Sequence, residues 1–341
     1  MNSTSNTFCT LFDSNYLSRG LALIHSLRKH GDSSKVFITC LDMATYEYLK
    51  PRKQELNIEP IFIDELVRTF PELKTAKSNR SKIEFYFTCT PFIIKYAVDK
   101  TSRDSFVTYL DADLYFFQNP KGIYEDLRGS SVGIIEHRYP WFLGRLEEKY
   151  GTYNVGLLAF LNDSEGNTVL NWWASSCIEW CHDYPSDGRY ADQGYLNRFA
   201  QISNRVTVLR NPGYNLAPWN TATNKIEVNE KQISVDGYPL TFFHFHGLKR
   251  MGRSWLTSQL NYFSTLRPAL IEEIYVPYAA HLEGLELELS SDISQKHIQL
   301  RKGAGLRGVV PNIARSVFAA LSLLLGQAFI LRGKGTDWNK K

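Results

Sequence analysis

From Thr7 to Tyr115, short apolar runs alternate with segments of helical periodicity, and this alternation constrains the fold more than any other feature. Thr7–Phe12 reads as a strand, closed by Asp13-Ser14-Asn15 as turn and cap. Tyr16–Lys29 then sets Leu17, Leu21, Ile24 and Leu27 on one face, the spacing of a helix that ends near Gly31. Val36–Leu41 and Pro60–Ile63 read as the next strands, with a helix over Thr45–Gln54 between them. Ile83–Val98 is a helix in which Pro91 predicts a kink or boundary, and Phe106–Tyr115 is a fourth strand. Such a pattern predicts an α/β layer of mostly parallel strands flanked by helices. Later strands are expected at Val132–Ile135, Gly156–Phe160, Val206–Leu209 and Thr241–Phe245, with a tryptophan-rich helix over Val169–Cys181. From Arg253 onward the pattern is mainly helical, which divides the chain into 1–250 and a basic helical region, 251–341.

The fourth strand carries Asp111 and Asp113 inside an apolar and aromatic run. In a strand, residues two apart share a face, so both carboxylates would point the same way. Two carboxylates on one buried face repel each other and lose hydration unless a cation lies between them. A divalent metal carrying a diphosphate would meet that need, because hard cations take oxygen ligands. The plainer reading is a strand that ends in a turn, with Asp111 capping and Asp113 solvated. Ligands of parallel α/β sheets bind beyond the carboxyl ends of the strands, where both the Asp13 turn and this pair fall. No glycine-rich phosphate loop follows the first strand, which argues against a dinucleotide oxidoreductase and a P-loop enzyme.

Composition bears mainly on location. Charged residues make up 22% of the chain and hydrophobic ones 43%, as in an ordinary globular protein. From Lys296 onward nine basic residues face the single acid Asp337, so the net charge of +4 hides a basic tail on a mildly acidic body. Within that tail, Val317–Leu331 is apolar and flanked by Arg315 and Arg332. The run is short for a spanning helix. It reads as an interfacial helix at an anionic membrane surface, or as a helix packed on the body or on a second copy. The five cysteines are an odd number, and the polar start ahead of Phe8 has no leader-like pattern, so a reducing cytoplasm, at the inner face of the membrane, is expected.

Five blocks in order resemble the metal-dependent GT-A glycosyltransferases, and within them the family-8-like enzymes that use nucleotide diphosphate sugars. They are Phe8–Tyr16, Tyr109-Leu110-Asp111-Ala112-Asp113, Tyr153-Asn154-Val155-Gly156, Ala191-Asp192-Gln193-Gly194 and His244-Phe245-His246-Gly247-Leu248-Lys249. Together they span about residues 7–250. A further stretch, Asn215–Asn220, looks like a related bacterial group with roles in polysaccharide and lipopolysaccharide assembly.

The resemblance implies a GT-A fold and a site assembled from these blocks. Asp111, Asp113 and His244 would hold Mn²⁺ or Mg²⁺. Thr10, Asp13, Asn15, Tyr16, Asp111, His246, Gly247 and Lys249 would meet the nucleotide diphosphate, with Arg250 as an alternative to Lys249. Asn154, Asp192 and Gln193 would act on the donor sugar, and Trp219 and Asn220 would face the acceptor. The implied activity is hexosyl transfer from a UDP-sugar to a glycan or lipid-linked acceptor, with retention of configuration. Two other readings are a sugar-nucleotide nucleotidyltransferase, which would need the glycine-rich loop this chain lacks, and a non-catalytic carbohydrate-binding protein. Nucleic acid is not an expected partner, because the basic tail is apolar between its charges.

Overall fold

The computed structural model describes residues 6–229, 232–251, 254–293 and 326–331. Its strands begin with β1 (Thr7–Phe12), β2 (Lys35–Cys40), β3 (Ile58–Phe62), β4 (Phe106–Leu110), β5 (Leu114–Phe116), β6 (Val132–Glu136), β7 (Tyr153–Leu161) and β8 (Val206–Leu209). All but β5 form one seven-stranded sheet in the order β3-β2-β1-β4-β7-β6-β8. Pairing is parallel from β3 through β4 and between β6 and β8, and antiparallel on both sides of β7. This is the mixed, mostly parallel α/β sheet that the sequence implied.

Strands buried on both faces read as continuous apolar runs, and their alternate residues feed two cores. Phe8, Val36, Ile38 and Leu110 pack with Leu17, Leu21 and Ile24 of helix α1 (Leu17–Lys29). Cys9, Phe37, Val107 and Tyr109 pack with Ile93, Ile94 and Ala97 of the helix Lys82–Val98. That second helix starts on a capping box, Ser81 with Glu84, and continues through Pro91 without the expected boundary. Its buried residues, Cys89, Phe92, Ile93 and Ile94 among them, outweigh the one hydrogen bond the proline removes. The helix expected at Thr45–Gln54 is shorter, Met43–Leu49, and tightens into a 3₁₀ turn at Lys50–Arg52, where Pro51 sits.

The fourth strand also differs from expectation. β4 ends at Leu110, Asp111-Ala112-Asp113 forms a turn, and β5 begins at Leu114. The Asp111 amide donates to the Gly156 carbonyl at 2.9 Å, and Leu114 N–H closes the turn on the Asp111 carbonyl at 3.1 Å. A turn, rather than the period of a strand, therefore aims the two carboxylates.

β5 leaves the main sheet and pairs antiparallel with Phe242–His244, setting Leu114 opposite His244 and Phe116 opposite Phe242. Along Phe243-His244-Phe245-His246 the side chains alternate. Phe243 and Phe245 pack on Tyr275, and Phe245 stacks on Tyr278 with ring centres 3.7 Å apart. Tyr278 lies on the helix Val276–Ile293, whose Leu282, Leu285 and Leu289 join the same core as β1 and α1.

The region after Arg253 is less helical than expected. Ser254–Leu256 is the middle strand of a small antiparallel sheet between Lys249–Met251 and Ala328–Ile330. The end of the apolar run Val317–Leu331 is thus a strand, because the second edge of Ser254–Leu256 offers backbone partners that a helix would leave unused. Residues 317–325 of that run, and the basic residues from Lys296 to Arg315 and from Arg332 onward, lie outside the described residues. Among the described residues no helix is long and apolar enough to cross a membrane.

Phe243 is fully buried beneath the pairing that holds His244. Phe243→Ala is expected to cost about 3–5 kcal/mol of folding stability, read as a lowered urea midpoint with an unchanged slope.

Candidate active site

Three backbone constraints bring distant side chains together. The Phe245 amide donates to the Asp113 carbonyl at 2.9 Å, and the His244 amide donates to the Leu216 carbonyl at 2.8 Å. With the β5 pairing, these bonds fix the imidazole of His244 over the Asp111–Asp113 turn. His244 Nε2 lies 3.1 Å from Asp113 Oδ1 and 3.7 Å from Asp111 Oδ2. Asp113, His244 and His246 each offer one ligand atom, and these atoms lie within 4.8 Å of one another. His246 thus joins Asp113 and His244 in that group, while Asp111 stands beside it and accepts a hydrogen bond from the Tyr109 hydroxyl at 2.9 Å.

The electrostatics of the group follow from its burial. Burial opposes charge on Asp113, but the adjacent His244 outweighs it and pulls the carboxyl down to about 2. Asp111 is pushed up, first by burial and then by Asp113, with His244 opposing. Burial likewise disfavours the His244 cation, and the two carboxylates more than offset it. His244 Nδ1 is buried with no hydrogen-bond partner among the described residues. Two carboxylates and two imidazoles are a donor set that suits a divalent cation. The cluster fits one: its oxygens repel each other, and Nε2 of His244 already faces them.

Gly156, on β7, stands where a side chain would break this arrangement. A Cβ there would run into the Asn154 side chain and come within 2.8 Å of His244 Nδ1. Asn154 Oδ1 accepts from the Gly156 amide at 3.0 Å, and its Nδ2 reaches Gln193 Oε1 at 3.3 Å and His137 Nε2 at 3.4 Å. Gln193 Nε2 in turn donates to the Tyr150 carbonyl at 2.8 Å. Asp192 is held by its backbone carbonyl, which accepts from the Trp173 indole at 2.8 Å. Its buried carboxyl is bonded to Thr90 and pushed up to about 7, by burial above all, with the nearby Asp111 charge adding to it.

His137 was not singled out by sequence reasoning. It is buried, stacked flat on Tyr139 with ring centres 4.6 Å apart, and its Nδ1 meets the Thr152 carbonyl at 3.2 Å. Burial lowers it to about 3, so it stays neutral and Nε2 can accept from Asn154. Asp13 accepts from the Asn15 amide at 3.1 Å and from Lys82 Nζ at 3.2 Å. Tyr16 is 44% exposed, with the Arg19 guanidinium 4.8 Å from its ring centre.

A cavity of about 590 Å³ unites these groups: Asp13, Asn15, Tyr16, Asp111, Asp113, Asn154, Asp192, Gln193, Trp219, His244 and His246 all line it. Other expected residues lie elsewhere. Thr10 is sealed in β1 at 0% exposure and does not line the cavity. Asn220 is equally buried, its side chain spent on the Ala217 amide and the His137 and Asn215 carbonyls, so it braces the loop and cannot meet an acceptor. Trp219 is 3% exposed and packs edge-on against His137, His244 and His246, which leaves little face for a sugar. Gly247 has φ +73 and faces Ser258, so glycine is needed there for the turn. Lys249 is exposed on its strand and outside the cavity lining, while Arg250 is bonded to Glu286 at 2.8 Å and to Glu283 at 3.3 Å. Tyr139, Tyr150, Tyr190 and Tyr262 also line the cavity. Tyr150 and Tyr190 stand just ahead of the Asn154 and Asp192 blocks, whereas Tyr139 and Tyr262 carry no signal in the sequence.

No family model matches the chain. It is 30% identical over 255 residues to the uncharacterized protein YfnF of Bacillus subtilis (strain 168), covering 72% of this chain and 82% of that one. It is 28% identical over 284 residues to the uncharacterized protein YfnD of the same strain, covering 81% and 88%. Among solved structures, it is similar to the galactosyltransferase LgtC in complex with donor and acceptor sugar analogs, at 16% identity and a TM-score of 0.44 over 71% of this chain and 87% of that one. It is also similar to mouse xyloside xylosyltransferase 1, at 14% identity and a TM-score of 0.41 over 62% and 87%.

The raised Asp192 carboxyl has a consequence for stability. Its contribution is fully present below the ordinary carboxylate value of 3.8 and is lost as pH rises through about 7. Measured against the Asp192→Asn variant by urea unfolding, the protein should lose roughly 3 kcal/mol between pH 4 and pH 7; a pH-independent difference contradicts the assigned burial.

Proposed function

The chain belongs to the family of the uncharacterized Bacillus subtilis protein YfnF, and from that premise and the geometry of its cavity we propose that it is a glycosyltransferase. In this reading it moves a hexose from a UDP-sugar, with Mn²⁺ or Mg²⁺, to a glycan or lipid-linked acceptor, and the anomeric configuration is retained. One observation carries it: the Asp113, His244 and His246 group shares one cavity with Asp13, Asn15 and Tyr16 and with Asn154, Asp192 and Gln193.

Asp113, His244 and His246, with Asp111 alongside, would hold the cation. When bound, a divalent ion stabilises the negative charge that grows on a departing diphosphate. The remaining work belongs to the chain. Asp13 and Asn15 at the end of β1 bind the nucleoside, and Tyr16 lies next to them. Asn154 and Gln193 orient the sugar hydroxyls, and both are fixed before substrate arrives, through the Tyr150 carbonyl, the Gly156 amide and neutral His137. Asp192, its carboxyl pushed up to about 7 by burial, can donate a hydrogen bond to the sugar when protonated or, once ionised, face the developing positive charge at the anomeric carbon. Preorganisation of this kind avoids rearranging dipoles at the moment of reaction. Lys249, exposed at the start of its strand, is the candidate for a phosphate contact.

The test is turnover of a panel of UDP- and GDP-sugars with and without Mn²⁺. Release of UDP should require the ion, and Asp113→Asn should lower it by about a hundredfold or more while the far-ultraviolet spectrum is unchanged. Metal-independent turnover, or none with any donor, contradicts the assignment.

A further inference from the structure

Resting on the transferase reading, we propose that the acceptor is a glycan of at least two sugar residues. Its terminal ring would sit among Tyr139, Tyr150, Tyr190 and Tyr262, and its second ring in a polar cleft that begins at Tyr190. The four tyrosines surround the part of the cavity next to the sugar-orienting amides. Tyr139 lies flat on His137, the partner of Asn154, and the Tyr150 carbonyl holds Gln193. Tyr150 and Tyr190 meet edge to face, 4.7 Å between ring centres, and Tyr262 stands 6.1 Å from Trp219. All four are half-buried, and among the described residues the hydroxyls of Tyr139, Tyr150 and Tyr262 have no hydrogen-bond partner. A pyranose offers C–H faces to aromatic rings and hydroxyls to phenols, and this group presents both.

The second ring has a separate place. A cleft of about 430 Å³ shares Tyr190 with the main cavity, and Glu147, Glu148, Lys149, Gly151, Gly194 and Asn197 are among its lining residues. Gly151 and Gly194 directly follow Tyr150 and Gln193, so the cleft borders the same two segments and meets the main cavity at Tyr190. Thr152 ties two of its walls, donating through Oγ1 to Glu147 at 2.9 Å and through its amide to Asn197 Oδ1 at 3.2 Å. Bare glycine backbone, two carboxylates, an ammonium and an amide suit the hydroxyls of a sugar and not the chains of a lipid.

The experiment uses the full chain with a UDP-sugar that it hydrolyses. UDP release is measured without acceptor, with methyl glucoside, galactoside and mannoside, and with disaccharides ending in the same sugars. At least one disaccharide should stimulate release at about a tenfold lower concentration than its monosaccharide, the effect of one charge-assisted hydrogen bond. Glu148→Ala should abolish that advantage while hydrolysis without acceptor stays the same, and Glu148→Gln should keep part of it. If hydrolysis occurs but no disaccharide outperforms its monosaccharide, or if Glu148→Ala keeps the advantage, the two-ring site is wrong and the transferase reading stands. If no donor is hydrolysed, both fail together.

Discussion

The short ladder between Leu114–Phe116 and Phe242–His244 is the constraint on which the rest depends. It joins the strand after the acidic turn to a strand far along the chain, and the Phe245-to-Asp113 hydrogen bond extends it by one residue. Its energy comes from the opposite face. Phe243, Phe245, Tyr275 and Tyr278 are fully buried there, and each such side chain is worth about 1.5–3 kcal/mol of burial. The apolar half of this four-residue alternation therefore fixes the polar half. His244 and His246 are aimed into the cavity because the phenylalanines that alternate with them, Phe243 and Phe245, cannot leave the core.

That anchoring allows an otherwise unfavourable site. Asp111, Asp113 and His244 stand within hydrogen-bond or ion-pair range in a poorly hydrated setting, and the carboxylates would repel each other if the backbone were free to relax. The turn cannot open, because the Asp111 amide is bonded to Gly156 on β7. Gly156 in turn leaves room for both Asn154 and His244. The residues proposed to hold a cation and those proposed to orient the sugar thus meet at one glycine, and their spacing is set by the main sheet.

Much of this was legible in the sequence. The alternation of apolar runs with helical periodicity gave the order of β1 to β4 and the helices over them, since strands buried on both faces leave an unmistakable pattern. The blocks around Asp13, Asp111, Asn154, Asp192 and His244 do line one cavity. What failed were arguments that needed tertiary detail. Asp111 and Asp113 share a direction through a turn, which no periodicity encodes. Thr10 and Asn220 look available in sequence and are sealed in the fold. His137 and the four tyrosines carry no local motif and gain their roles only when separate loops converge. The strand at Ala328–Ile330 was hidden because a short apolar run does not distinguish helix from strand until its partner edge is known.

The most direct measurement is Mn²⁺ binding followed by electron paramagnetic resonance, with UDP present, in the full chain and in Asp113→Ala and His244→Ala. The account predicts that the intact protein removes the free-ion signal at about one ion per chain, and that each substitution weakens binding at least tenfold. Binding that is unchanged in both variants would contradict the claim that these side chains converge on one cation.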